Sequence, residues 1–290
     1  MRARFRTTME QLLHQEPRTA LVLADIGPLD LGRGTPVARR VVNVGIREQA
    51  LVGVAAGLAL AGLRPFVHSY APFLVERPYE QLKLDLSHQD LGAVLVSIGA
   101  SHDAASEGRT HQCPADVALV GALPGWRVHT PGHPDEAESL LRAAAAGDDR
   151  QYVRLAARPN PDPLPADGRL HVLRDGGGTA VLAIGPALAQ TLPAVADLDV
   201  ALAYTSTPWP LDADGLADLL RGRDRLVVVE PYLEASTAPQ VVAALAGRAV
   251  GLTFAGVGRR EVRRYGTPED HDRWHGIDAA GIRRRVLAVG

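Results

Sequence analysis

The sequence predicts an α/β fold: two consecutive three-layer α/β/α units with mainly parallel sheets. Three features carry that expectation. Short β-branched or fully apolar runs alternate with helix-length segments along most of the 290 residues. The run 91–99, LGAVLVSIG, is apolar apart from Ser97, the pattern of a central strand covered on both faces. Residues 159–175 then carry four prolines and little apolar periodicity, after which the alternation restarts. The organisation expected is one domain over 1–160, a linker over 161–175 and a second domain over 176–290, since 290 residues are long for one core.

In order, residues 7–15 predict a helix capped by Thr7 or Thr8 and ended by Pro17. Residues 20–24 predict a strand, and Asp25 follows at its end, where open α/β sheets bind ligands. Residues 28–38, with Gly32, Gly34 and Pro36, read as a surface loop; their G-x-G neither follows a strand nor opens a helix, so no dinucleotide site is assigned. Residues 39–42 read as a buried strand, and LVGVAAGLALAG over 51–62 as an apolar helix of small residues that another helix could approach closely. A strand over 64–68 leads into Tyr70 and Phe73, and a helix is expected from about Pro78 to Ser87. Further helices are expected over 117–123 and 134–146, with strands over 126–129 and 151–155. In the second half, strands are expected over 179–184, 200–204, 226–230 and 249–254, and helices over 186–196, 214–220 and 237–245.

Composition excludes several classes. A net charge of −2 with no basic tail argues against a nucleic-acid partner. No run reaches 18 apolar residues, so no membrane span is expected, and the N-terminal stretch lacks a secretion signal. The single Cys113 excludes an internal disulfide and fits a reducing, cytoplasmic compartment.

Two stretches concentrate chemistry. Glu48 stands where the apolar helix begins; an acid there complements the helix dipole, but beside so apolar a helix it is also desolvated, which favours a held proton. Residues 100–112 follow the central strand and hold His102, Asp103, Glu107, Arg109 and His111; polar loops at strand ends are where catalytic groups gather. His271 and His275 are four apart and could share a helix face, but with Trp274 between them and no acidic triad motif no metal ligands are assigned.

The run NVGIREQALVGVAAGLALAGLRPFV, the His-Asp pair at 102–103 and GRTHQ at 108–112 resemble the pyrimidine-binding domain of transketolases and 1-deoxyxylulose-5-phosphate synthases. PWPLD at 208–212 and LVVVEPYLEAS at 226–236 resemble the C-terminal domain of the same superfamily. The resemblance implies thiamine diphosphate as cofactor, with Glu48 bonded to its aminopyrimidine and activating it, and Phe73 and Tyr70 stacked on that ring. Asp25, from its place at a strand end, is read as a further cofactor contact, with a turn Asp before Gly27 as the alternative, and the resemblance implies His111 and His102 as catalytic groups. His102, Asp103, His111 and Arg158 would meet a sugar-like substrate, with Arg154 the alternative to Arg158 for a phosphate. The loop over 103–109 is shorter than the usual transketolase form.

The superfamily's Gly-Asp-Gly…Asn segment, which holds magnesium against the diphosphate, does not occur in the sequence. The resemblance therefore implies the smaller subunit of a split enzyme. A separate chain would hold Mg²⁺ and the diphosphate, in an α2β2 assembly acting on small sugar or keto-acid substrates. The activity implied is transfer of a two-carbon ketol or acyl unit from a ketose-like donor to an aldehyde. The alternatives are the β subunit of a 2-oxoacid dehydrogenase and a non-catalytic partner that retains the fold.

Overall fold

In the computed structural model, which describes residues 1–26 and 34–288, eleven strands form two sheets. The first half contains β1 (Thr19–Leu23), β2 (Val41–Asn43), β3 (Arg64–Tyr70), β4 (Val94–Ile98), β5 (Trp126–His129) and β6 (Arg150–Arg154). They pair in parallel in the order β2-β1-β3-β4-β6-β5. The helices of this half are α1 (Arg2–Gln15), α2 (Glu48–Leu60), α3 (Tyr79–Gln81), α4 (Asp116–Gly121) and α5 (Pro134–Ala146). As the apolar run predicts, β4 is central and every one of its residues is buried.

The second half contains β7 (His171–Arg174), β8 (Thr179–Ile184), β9 (Ala201–Thr205), β10 (Arg225–Leu233) and β11 (Gly251–Val257), in the order β11-β10-β8-β9-β7. All pairs are parallel except the edge strand β7, which runs antiparallel to β9. Helices α6 (Leu188–Ala194), α7 (Ala213–Leu219), α8 (Ala238–Leu245), α9 (Pro268–His275) and α10 (Ala279–Leu287) complete it. The α/β class with mainly parallel sheets and helices on both sides is thus what the chain adopts.

Several expected elements move. Helix α1 begins at Arg2, so Thr7 and Thr8 lie inside it rather than capping it. Phe5, Met9, Leu12 and Leu13 form its buried stripe, and that packing overrides the local capping signal. The strand expected over 39–42 is instead a 3₁₀ turn over Pro36–Arg40 followed by β2, a half-buried edge strand. The helix expected from Pro78 starts earlier, as a π-turn over Pro72–Glu76, and a second π-segment spans Leu82–His88. Strand β7 falls inside the proline-rich stretch read as linker; its four residues, only half-buried or exposed, give no periodicity to detect. Of the loop expected over 28–38, residues 28–33 lie outside the described residues.

The halves meet where strand ends face each other. Ser101 Oγ donates to the carbonyl of Pro231 at 2.7 Å, and Leu233 N–H donates to Pro114 at 2.7 Å. Asn160 donates from its backbone to Gly132 and from its amide to Gly185. This seam lies beside the polar loop that follows β4.

Candidate active site

Asn43 sets the geometry around Glu48. Its Oδ1 accepts the N–H groups of Asp25 and Gly45, both at 3.0 Å, tying the end of β1 to the turn after β2. Gly45 has φ +70°, a conformation that side chains resist, so glycine suits the turn. The chain then enters α2 at Glu48, and Glu48, Leu51, Val52, Ala55 and Ala56 form one buried stripe. Glu48 is therefore only 6% exposed although its side chain is polar. Its Oε1 accepts a 2.7 Å bond from Arg77 Nη1.

Arg77 belongs to none of the motifs that point to the site. The π-turn, closed by Arg77 N–H donating to Pro72 O at 3.1 Å, aims its side chain back toward Phe73. The guanidinium carbon lies 3.9 Å from the Phe73 ring centre, a cation–π contact made while the group bonds Glu48. Around Phe73 stand Tyr70, at 5.9 Å between ring centres, and His111, at 4.9 Å; Tyr70 and His111 are 5.4 Å apart, all edge-on. Glu48, Phe73, Tyr70 and His111 are thus linked, directly or through Arg77, into one cluster at the C-terminal end of β3. Asp25 stands exposed at the end of β1, joined to this region through Asn43.

Gly99 (φ +72°) is what lets Tyr70 lie where it does: a Cβ at position 99 would fall 2.6 Å from Tyr70 Cδ1. Gly99→Ala is expected to displace the Tyr70 ring and cost about 1–3 kcal/mol of stability through strain at positive φ and overpacking. A urea melt with near-ultraviolet circular dichroism reads both effects; unchanged signals would show that Tyr70 is not held by this contact.

His102 and Asp103 do not join that cluster. They face the seam, beside a cavity of about 100 Å³ whose lining includes Ser101, Arg154, Arg158, Glu230 and Asp272. His102 is stacked on His271 of α9, ring centres 4.1 Å apart. Burial, reinforced by the neighbouring histidines and Arg154 and Arg109, pushes its pKa down to about 3. Asp103 accepts the Ala157 N–H at 2.7 Å, and its pKa is nevertheless raised because burial outweighs that bond and the nearby arginines.

Both candidate phosphate arginines already have carboxylate partners. Arg154 is buried and donates to Asp116 at 2.7 Å and to Ser101 Oγ at 2.6 Å. Arg158 bonds Asp272 at 2.6 Å and reaches Glu269 at 3.4 Å. Sequence reasoning missed Asp116, Asp272 and Arg77, whose partners lie 29 to 114 positions away. It could have flagged Arg77, a cation four residues beyond Phe73, as a neighbour of that ring. Among the described residues no helix is long and apolar enough to cross a membrane.

The fold and the cluster define an α/β protein with a buried acid and clustered aromatic rings at the carboxyl edge of its first sheet. Residues 1–159 match the family described as "Transketolase, pyrimidine binding domain". An uncharacterized 33.6 kDa protein in the fasciation locus of Rhodococcoides fascians is 45% identical over 288 residues, covering 97% of this chain and 92% of that protein. The 1-deoxy-D-xylulose-5-phosphate synthase of Thioalkalivibrio sulfidiphilus is 33% identical over 257 residues; the match covers 85% of this chain but only 40% of the synthase. An apulose-4-phosphate transketolase subunit of Actinobacillus succinogenes is 27% identical, over 86% of this chain and 85% of that polypeptide. Among solved structures, a "Split gene transketolase, inactive beta4 tetramer" superposes with a TM-score of 0.85 over 99% of this chain and 96% of that one, at 23% identity, a likeness of fold. The chain belongs to the thiamine-diphosphate-dependent transketolase-like family. It is homologous to one portion of the synthase rather than to its whole length.

Proposed function

We propose that this chain is the smaller subunit of a split transketolase-like enzyme and supplies the pyrimidine half of a thiamine diphosphate site. The observation that carries the reading is the Glu48–Arg77–Phe73 arrangement. A flat, N–H-bearing group already bonds the buried acid at 2.7 Å and lies 3.9 Å over the aromatic face. Those are the two contacts an aminopyrimidine ring needs, so the residues present fit the group. Glu48 would hold a proton at a ring nitrogen, and Phe73, flanked by Tyr70, would fix the ring plane. When bound, the cofactor supplies the nucleophile for carbon–carbon chemistry. His111, in edge contact with Phe73, would move a proton at a substrate oxygen.

A second polypeptide would carry the diphosphate and its magnesium. Two relatives of similar length support this, one of them named as part of a multi-chain transketolase. The exposed apolar residues at the two ends of α2 support it too: Ile46, two residues before the helix, is 72% exposed and Leu60, its last residue, is 66% exposed. Apolar surface of that kind marks an interface. An α2β2 assembly follows if each partner pairs two-fold.

Reconstitution with a chain carrying the Gly-Asp-Gly…Asn segment tests the activity. Given ketose donors and aldehyde acceptors, the mixture is expected to form a product longer by two carbons. Decarboxylation of a 2-oxoacid without transfer to an aldehyde would favour a dehydrogenase-type β subunit instead. An inert complex would leave a non-catalytic partner.

Arg77 covers the place proposed for the ring, so it must move when the cofactor enters. Arg77→Ala is expected to tighten thiamine diphosphate binding by the reconstituted enzyme about 3- to 10-fold, because the competent state becomes more populated. Weaker binding in a titration would instead make Arg77 a ligand.

A further inference from the structure

We propose that His102, His271 and His275 form a binding site for one divalent transition-metal ion of the zinc class, clasping the loop after β4 to α9. One ligand atom from each of the three buried side chains lies within 4.8 Å of the other two. Two come from a single face of α9, four residues apart, and the third arrives from the first half of the chain. The sequence pair alone lacked a third ligand, and the fold supplies it.

His271 carries the strongest sign of an absent ligand. Its ring is fully buried, and Nε2 lies 2.7 Å from the carbonyl oxygen of Tyr265. A carbonyl only accepts, so the ring proton sits on Nε2 and Nδ1 is left as a bare lone pair. That Nδ1 has no partner among the described residues. A buried acceptor without a partner is costly, and a ring whose outer N–H is fixed on a carbonyl is the usual form of a metal-bound imidazole. The other two rings are held loosely. His102 makes no hydrogen bond through either ring nitrogen among the described residues, and His275 Nδ1 accepts only a long 3.2 Å contact from Gly258 N–H.

The space suits an ion rather than a metabolite. All three histidines line a cleft of about 40 Å³, together with Arg109, Gln112, Arg260 and Glu261. Its one acid, Glu261, is paired with Arg109 at 2.7 Å. The lining therefore offers no free carboxylate, and two nearby arginines oppose a cation. Binding must come from coordinate bonds to nitrogen, which selects Zn²⁺ or Co²⁺ and rejects the oxygen-seeking Mg²⁺ and Ca²⁺. The rings stack within 14° of parallel, so His102 and His275 turn about χ2, a broad torsion, to converge on an ion while His271 keeps its bond to Tyr265.

The test needs no activity and no partner. The untagged full chain, stripped with chelator, is titrated with Co²⁺, Zn²⁺ and Mg²⁺ separately. Expected are uptake of one equivalent of Co²⁺ with the visible absorption of a low-coordinate site, its displacement by Zn²⁺, and no response to Mg²⁺. The ion should raise Tm, since it binds the folded state. His271→Ala and His102→Gln should each weaken binding by about a hundredfold or more; His102→Gln answers the question should the core variant fail to fold. No stoichiometric uptake by the wild-type chain, or uptake that persists unchanged in a folded variant, would overturn the site.

Discussion

In the reconstituted enzyme, Glu48→Gln is expected to lower turnover by about 10²- to 10⁴-fold, the range associated with losing one positioned proton donor or acceptor. The amide matches the carboxyl in size and can still accept from Arg77, so folding and assembly should survive. Its failure should therefore be chemical. The carboxyl sits on the same stripe as Leu51, Val52 and Ala55, so water cannot readily take its place. Exchange of the cofactor's acidic carbon-bound hydrogen, followed by proton NMR in deuterated buffer, isolates the step from substrate binding. Unimpaired exchange in Glu48→Gln would remove Glu48 from the role.

The largest loss of stability is expected at Asp116. Its carboxylate, fully buried, accepts from Arg154 Nε and from Tyr152 OH, each at 2.7 Å, and from Val117 N–H at 3.0 Å. Burial opposes the charge on Arg154, yet Asp116 and Tyr152 outweigh it and leave the guanidinium pKa above its ordinary value. Asp116→Ala strands that cation in the interior, and such breaks cost about 3–5 kcal/mol. Against a total of roughly 5–15 kcal/mol, that is a large share. The paired change Asp116→Leu with Arg154→Met removes both charges together and should recover much of the loss. Urea denaturation of the single and paired variants measures this; equal losses in both would mean that the charge is not the cause.

These two sites differ in how far the sequence exposes them. The strand–turn–acid–helix order around Glu48 is local, so β-branched residues, an Asn-x-Gly turn and an apolar helix suffice to place it. The central position of β4 is legible for the same reason: both of its faces are covered, and an unbroken apolar run results. The Asp116–Arg154 pair, the Arg158–Asp272 pair and the stack of His102 on His271 join residues 38, 114 and 169 positions apart. No periodicity reports such contacts: the first depends on how the start of α4 sits against the end of β6, the other two on how the two halves meet. The division of the polar loop is likewise a tertiary result. His111 turns toward Phe73, whereas His102, nine residues earlier, turns toward α9. The early start of α1 and the edge strand β7 were hidden differently: packing overrode capping in one, and an exposed edge carried no pattern in the other.

Half of a cofactor site should hold little on its own. The direct measurement is a calorimetric titration of thiamine diphosphate with Mg²⁺ into three samples: the purified chain, the diphosphate-binding chain and their equimolar mixture. Tight binding is expected in the mixture, with weak or undetectable heat from the purified chain alone, and Glu48→Gln in the mixture should change the affinity. Tight, stoichiometric binding and turnover by this chain without any partner would contradict the account.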